Sequence, residues 1–374
     1  MSSLSNQNRV LQTARWDLYP HCNLNCIHCC ADGLYTYIDS DFLNLDAAVL
    51  LLNKLREAGI IHLNIVGKEP FLHPDIFNIL LQACKLGLTV DITTNGTAIK
   101  DKDISFLVDL GIRCIYFSID GSTAKINDMI RGDGVFEKAS VTMGKILKEK
   151  ERRHSALMVS VNTVLTKINA ADILNLVDTC SSIGVNLFKL SHLLTLGQAL
   201  SNFNDLALEP GEEFKAAEEV IKNIPLYPNL AFDVLTDHPM ILEYFYKKYK
   251  VPLPVRMSGC KGCIKEIYID PIGGISPCLG TSKGVSGFSN GKNYRVDILS
   301  LNEKSIYETS FYDEFQSTFP LVRDTYKDYT PCYSCPYLTT ICYPCPLYSL
   351  NGGHVEELCF IAQKKLDQLN AEEV

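Results

Sequence analysis

Between residues 45 and 193 the chain switches repeatedly between two apolar rhythms, and each switch predicts a change of element. Leu45 to Ala58 carries apolar residues three and four apart, with Asp46 near its start and Gly59 beyond its end, which predicts a helix. Ile61 to Val66 is a short apolar run that stops at Gly67-Lys68-Glu69-Pro70, the pattern of a buried strand. His73-Pro74-Asp75 opens a second helix, because proline has no amide hydrogen and a first helical turn has no internal use for one; Gly87 closes it. The unit then recurs, with strands at Leu88 to Thr93, Cys114 to Ile119, Leu157 to Leu165 and Asn186 to Leu193, and helices at Asp101 to Leu110, Phe136 to Lys150 and Ala171 to Ser182. Together with a short strand-like segment from Arg15, these make six strands alternating with helices. Such alternation predicts an α/β fold of parallel βα units with right-handed crossovers: a partial (β/α)6 barrel of TIM type, or a complete one, with chemistry at the carboxyl ends of its strands.

The rhythm changes near Pro210, where GEEFKAAEEVIKNI reads as an acidic amphipathic helix. From about Val251 the chain is rich in Pro, Gly, Cys and Tyr, and long periodic segments are not expected. Glu266 to Cys278, EIYIDPIGGISPC, predicts a β-hairpin turning at Pro271-Ile272-Gly273-Gly274. Three regions result: a barrel over 1–205, a bridging helical region over 206–255, and a small cysteine-rich domain over 256–374.

Composition sharpens this picture. With 374 residues and 47% hydrophobic content the chain can bury a large core. A formal charge of -8 argues against nucleic acid as the main partner. The first residues, MSSLSNQNR, lack a basic stretch followed by an apolar one, and no apolar run approaches a membrane span, so the expectation is a cytoplasmic protein without membrane attachment. The charged run Lys148 to His154 reads as the solvated end of a helix. Fifteen cysteines, odd in number and clustered, suit metal ligation better than a disulfide framework. Only Cys84, Cys114 and Cys180 stand alone, among apolar neighbours, as core thiols do.

The densest chemistry lies in RWDLYPHCNLNCIHCC, Arg15 to Cys30. Cys22, Cys26 and Cys29 are spaced Cys-x3-Cys-x2-Cys, and three thiolates this close can hold one face of an iron-sulfur cluster while a fourth iron keeps no protein ligand. A zinc knuckle completed by His21 or His28, or a chance group of buried thiols, are the other readings of the same residues. The motif resembles the signature of the radical S-adenosylmethionine (SAM) enzymes, and CNLNCIHC is close to its common form, with His28 in a place that is often aromatic. The resemblance implies that the open iron binds the amino and carboxylate groups of SAM and that reductive cleavage yields a 5'-deoxyadenosyl radical.

Further residues carry the resemblance along the strand ends. Gly67-Lys68-Glu69-Pro70 is similar to the family's Gly-Gly-Glu-Pro motif at the SAM amino group, with Lys68 in place of the second glycine. His28, Gly67, Glu69, Pro70, Asn95, Ser118, Asp120, Asn162 and His192 are thereby implied as residues on the SAM side of the site. Read alone, each polar member is a residue that can cap or turn. Arg131 in MIRGDGVF pairs a carboxylate or sits in a solvated loop, and Gly197-Gln198 marks the sixth strand end. The later cysteines resemble a SPASM extension with two auxiliary 4Fe-4S clusters, the alternative being a pair of zinc ribbons. The resemblance assigns Cys260, Cys263, Cys278 and Cys345 to the first auxiliary cluster and Cys332, Cys335, Cys342 and Cys359 to the second, although Cys342 falls one residue late.

Three 4Fe-4S clusters and SAM are therefore the implied cofactors, with an external reductant such as flavodoxin or ferredoxin. The implied reaction is hydrogen abstraction from a peptide or protein, leading to a cross-link, thioether, epimerisation or oxidation. Because only 21 residues precede Cys22, leader recognition is expected from the chain itself or from a separate leader-binding protein. Formylglycine formation of the sulfatase-maturase type and a small-molecule decarboxylase or dehydrogenase remain as alternatives. A non-catalytic iron-sulfur or zinc scaffold is a further class, against which intact Cys22, Cys26, Cys29 and Glu69 argue.

Overall fold

The computed structural model describes residues 11–32, 38, 40–234, 239–253, 258–259, 265–279, 296–297, 299, 335, 342–343 and 355–372. The expected alternation is present: β1 (Thr13–Asp17), α1 (Leu45–Glu57), β2 (His62–Val66), α2 (Ile76–Lys85), β3 (Thr89–Thr94), α3 (Ile104–Asp109), β4 (Cys114–Ser118), α4 (Ala124–Arg131), α5 (Val135–Arg152), β5 (Met158–Val164), α6 (Ile173–Ser182) and β6 (Leu187–Ser191). Short helices α7 (Gly197–Ser201) and α8 (Phe203–Leu206) follow, then α9 (Pro210–Asn223), β7 (Ala231–Val234) and α10 (Pro239–Tyr249). Beyond them lie β8 (Ser258–Gly259), β9 (Glu266–Ile269), β10 (Gly274–Ser276), β11 (Val296–Asp297), β12 (Cys342–Tyr343) and a last helix, Val355–Glu372.

One sheet runs in the order β11-β10-β9-β1-β2-β3-β4-β5-β6-β7. Every neighbouring pair from β9 to β7 is parallel, so this is the open, barrel-like arrangement that alternation implied. The sheet does not stop at residue 205. β7, in the bridging region, adds in parallel to β6, and β9, in the cysteine-rich region, adds in parallel to the far edge at β1. The hairpin β9–β10 turns where expected, its Asp270 carboxylate accepting the amides of Ile272 and Gly274 while Gly273 adopts a φ of +85°. Long periodic segments are not absent from the C-terminal part: the last helix is 18 residues long, and its Leu358, Ala362 and Leu366 are buried in the main core. That correction has a physical cause, since VEELCFIAQKKLDQL mixes a narrow apolar stripe with many charges, a weak signal beside the cysteines around it.

Residues at alternate strand positions divide between two faces. Ala14, Trp16, Leu63, Ile65, Val90, Ile92, Ile115, Phe117, Val159 and Val161 are buried against helix residues such as Leu51, Leu55, Ile79 and Leu80. Each such Leu or Ile contributes about 1.5–3 kcal/mol by leaving water. The other face is polar: register sets Arg15 beside Asn64, Thr93 beside Tyr116, Ser118 beside Asn162, and Lys189 beside both Asn162 and Asp233. Ordinary barrel interiors are packed with branched apolar side chains, so a polar interior reserves this face for a ligand.

Candidate functional site

The cysteine loop leaves β1 at the carboxyl end of the strands. Cys22 is exposed, Cys26 buried and Cys29 half-buried. Each sulfur has donors aimed at it. The Leu24 amide and Asn95 Nδ2 point at Cys22 Sγ, at 3.4 and 3.7 Å. Arg131 Nη1 lies 4.0 Å from Cys26 Sγ, and the amides of Ala31 and Asp32 serve Cys29. Burial raises the pKa of all three thiols, that of Cys26 to about 11 with Arg131 opposing the rise, and Cys29 adds to the rise at both Cys22 and Cys26 by repulsion. Sulfurs that are donor-rich yet costly to ionise alone suit ligation to a cationic centre, which supplies the missing positive charge. Among the described residues no three His, Cys, Asp or Glu side chains close around a single ion.

The strand end after β2 braces the loop from below. Gly67 has a φ of +97°, and a Cβ there would lie 1.9 Å from Asp17 Oδ1, so glycine is required twice over. The Lys68 amide donates to Asp17 Oδ1 (3.3 Å) and its Nζ pairs with Asp32 (3.0 Å), which accounts for a lysine where the resemblance expects glycine: it ties strand end to loop. Glu69 is fully buried. Its carboxylate accepts from the Phe71 amide (3.0 Å), Thr94 Oγ1 (2.8 Å) and the Asn95 amide (2.8 Å), and burial pushes its pKa up to about 7 against those bonds. Pro70 starts a 3-10 turn, Pro70–Leu72. Asn95 in turn donates to Asn23 Oδ1 (2.9 Å) as well as to Cys22.

A second brace comes from β4 and α4. Asp120, fully buried, stands 2.7 Å from Arg131 Nε and 2.9 Å from His28 Nε2, and its other oxygen accepts the Val164 amide. Burial alone raises its pKa, but Arg131 and His28 outweigh that and hold it at about 2. Sequence reasoning missed α4 and two of its residues. Asn127 Oδ1 accepts the Asp120 amide (2.9 Å), and Asp128 takes the amides of Gly134 and Phe136 (2.8 Å each), capping α5. The Asn-Asp-x-x-Arg spacing was the available signal, since Asn127 and Asp128 stand at i−4 and i−3 from Arg131, the two spacings that bring helix side chains together.

Ser118 and Asn162 are adjacent strand ends, and Asn162 Oδ1 accepts from Ser191 Oγ (3.1 Å). His192 is placed differently from the others, its Nδ1 paired with Glu213 of α9 in the helical layer. Across the loop, α7 and α8 act as a clamp. A Cβ on Gly197 would lie 2.3 Å from the Asp32 carbonyl oxygen, the Ala199 amide donates to Cys29 O (3.3 Å), and Asn202 Nδ2 donates to Ile27 O (2.8 Å). Asp17, which also accepts from Tyr268 OH of β9 (3.0 Å), was not singled out in the sequence either.

Of the later cysteines, Cys278, Cys335, Cys342 and Cys359 are half-buried. Cys260, Cys263, Cys332 and Cys345 lie outside the described residues. The parallel pair β8–β12 sets Ser258 beside Cys342 and Gly259 beside Tyr343. Cys84 is half-buried while Cys114 and Cys180 are buried, as core thiols are.

Two buried polar atoms near the loop and on the polar face, His28 Nδ1 and Asn64 Oδ1, have no hydrogen-bond partner among the described residues. Together with the donor-rich sulfurs they fit a cluster and a polar ligand above it.

Residues 16–180 match the profile of the Radical SAM superfamily. The AdoMet-dependent heme synthase of Methanosarcina barkeri is 27% identical over 199 residues, 53% of this chain and 54% of that one. The mycofactocin maturase MftC of Mycobacterium tuberculosis is 26% identical over 191 residues, 51% of this chain and 47% of that one. The chain thus spans about half the length of these curated relatives. The crystal structure of Streptococcus suis SuiB bound to S-adenosylmethionine superposes with a TM-score of 0.66 at 20% identity, covering 89% of this chain and 72% of SuiB, and shows the same fold; SuiB has also been solved bound to its precursor peptide SuiA. No described helix is long and apolar enough to cross a membrane. By the match of residues 16–180, and by the cysteine loop that those residues hold at the strand ends, this part of the chain is similar to the Radical SAM superfamily.

Proposed function

We propose that this chain is a radical SAM enzyme that modifies a peptide or protein. The observation that carries the reading is the cysteine loop, whose three sulfurs are each served by N–H groups and clamped from three sides at the carboxyl ends of parallel strands. Cys22, Cys26 and Cys29 would hold the SAM-binding cluster. When bound there, cluster and SAM supply a 5'-deoxyadenosyl radical that abstracts hydrogen from the substrate. The protein's share is placement. Glu69 fixes the Asn95 turn, Gly67 lets the strand end approach Asp17, and His28, Pro70, Ser118, Asp120 and Asn162 line or brace the ligand side. His192 belongs to the same proposal, with its ring paired to Glu213 of α9. The polar face bearing Asn64, Tyr116, Asn162 and Lys189 would receive the substrate.

The maturase relative MftC and the peptide-bound SuiB structure support a peptide substrate, served by an external reductant and with or without a separate leader-binding protein. The heme-synthase relative supports a small-molecule substrate as the second reading. Two auxiliary clusters, on Cys260, Cys263, Cys278 and Cys345 and on Cys332, Cys335, Cys342 and Cys359, belong to the same proposal. Supporting it, the parallel pair β8–β12 runs side by side the two stretches that lead into Cys260 and Cys345. The test is iron and acid-labile sulfide per chain after anaerobic reconstitution, with a Cys22, Cys26 and Cys29 triple-alanine variant alongside. About twelve irons, with about four lost in the variant together with 5'-deoxyadenosine formation, are expected. About four irons with bound zinc would remove the auxiliary clusters; 5'-deoxyadenosine from the variant would remove the catalytic one.

A further inference from the structure

Arg131 and Asp120 place a buried charge pair against one sulfur of the cysteine loop. Arg131 Nη1 lies 4.0 Å from Cys26 Sγ, its Nε is 2.7 Å from Asp120, and the arginine side chain is 7% exposed and the aspartate 0%. No solvent screens charges buried to this degree, so each is felt at the sulfur far more strongly than a surface charge would be. The loop is also held independently of this pair, by the Glu69–Asn95 turn and the α7–α8 clamp. The pair is also nearly self-cancelling, and the potential of an iron-sulfur cluster is set by net charge, hydrogen bonds to its sulfurs and exposure. The two charges act at the sulfur with opposite sign, the guanidinium stabilising negative charge there and the carboxylate opposing it.

We infer that Arg131 and Asp120 form an electrostatic trim that sets the reduction potential of the cluster held by Cys22, Cys26 and Cys29, with Arg131 raising the potential and Asp120 returning it towards that of an unpaired site. Both act through Cys26 and are positioning residues. The inference rests on the proposed cluster at these cysteines. In this arrangement the cluster stays hard to reduce while Cys26 keeps a donor, so the electron is delivered only by a strong reductant.

The experiment is an anaerobic redox titration followed by electron paramagnetic resonance. It uses the reconstituted full chain, with the signal of the Cys22, Cys26 and Cys29 triple-alanine protein subtracted. Asp120→Asn, which leaves a cation uncompensated, is expected to shift the midpoint potential up. Arg131→Gln, which leaves an anion, shifts it down. Arg131→Lys keeps the charge and stays near wild type, and the Asp120→Asn/Arg131→Gln double variant returns between the single variants. Iron content and circular dichroism accompany each protein. Two single variants that shift in the same direction, or that hold full iron with an unshifted potential, overturn the trim while leaving the cluster in place. A wild-type chain that takes up no iron at Cys22, Cys26 and Cys29 overturns the underlying reading instead. Should Arg131→Gln fail to fold, the upward shift in Asp120→Asn, set against Arg131→Lys, still decides the matter.

Discussion

Gly67 shows how a single hydrogen atom can be what a site depends on. Asp17 must reach the Lys68 amide and Tyr268 OH, and it does so through the volume that any side chain at 67 would fill. Gly67→Ala therefore meets both a steric overlap and a φ of +97° that L-residues avoid. It is expected to lower the unfolding free energy by about 1–3 kcal/mol. Urea denaturation would show this as a lower midpoint at constant slope, and an unchanged midpoint would refute it. His73 carries a pH-dependent term. It is 2% exposed, its Nε2 donates to Leu43 O (3.1 Å) and its Nδ1 accepts the Asp75 amide (3.0 Å), and the second bond requires the neutral ring. Burial lowers its pKa below the ordinary 6.5, against the smaller opposing effects of Leu43 and Asp75. The unfolded chain thus takes up the proton first as pH falls. Stability from His73 is complete above 6.5 and is lost as pH drops through that value towards the folded pKa. His73→Gln should flatten the acid side of the stability profile below about pH 6.5. A profile parallel to wild type would show that another group sets it.

Elements were legible where a rhythm was long enough to read. The strands β1 to β6 and the helices between them were expected from the sequence because parallel strands under helices are short apolar runs, and their flanking Gly and Pro mark the ends. α4 was not, since AKINDMIR is only eight residues long, half of them polar or charged, and ends at Gly132. β7 is four residues, AFDV, too short for alternation to register. The cysteines of the loop could be found by spacing, whereas Asp17 and Asn202 carry no local signal: their partners are 51 and 175 positions away. The consequence of α4 is mechanical. Asp128 stands in for an N-cap of α5, whose own N-cap position is Gly134 in the left-handed region with no side chain to offer. Asp128→Ala should cost about 1 kcal/mol, the usual worth of a lost cap. Faster amide hydrogen exchange at Gly134 and Phe136 than elsewhere in α5 would confirm the assignment, and uniform exchange would contradict it.

At the scale of the whole molecule, the cysteine-rich region supplies a strand that the barrel needs. β1 would be an edge without β9. The Gln12 and Thr13 amides both donate to Lys265 O, Arg15 pairs with Glu266 (2.7 Å), and Asp17 bonds Tyr268, so most of β1 is occupied from a segment 250 residues further on. The last helix buries Leu358, Ala362 and Leu366 in the same core as β1 to β6, in contact with α9 and α10. A chain cut after residue 253 would expose this edge and this apolar face together, and both are routes to aggregation. The full chain is therefore expected to unfold in one transition, with fluorescence of its single tryptophan, Trp16 of β1, and far-ultraviolet circular dichroism coincident. The chain ending at residue 253 should be recovered as insoluble protein or as a species with an expanded, exchange-labile β1. Limited proteolysis gives an independent reading, because a barrel that stands alone would accumulate as a stable fragment ending near residue 255. If that fragment appears and keeps a cooperative transition of its own, β9 is an ornament on a finished barrel. If it does not, the strand that carries Asp17 towards the cysteine loop is held in place by the very region that bears the later cysteines, and loss of those cysteines should loosen the loop as well.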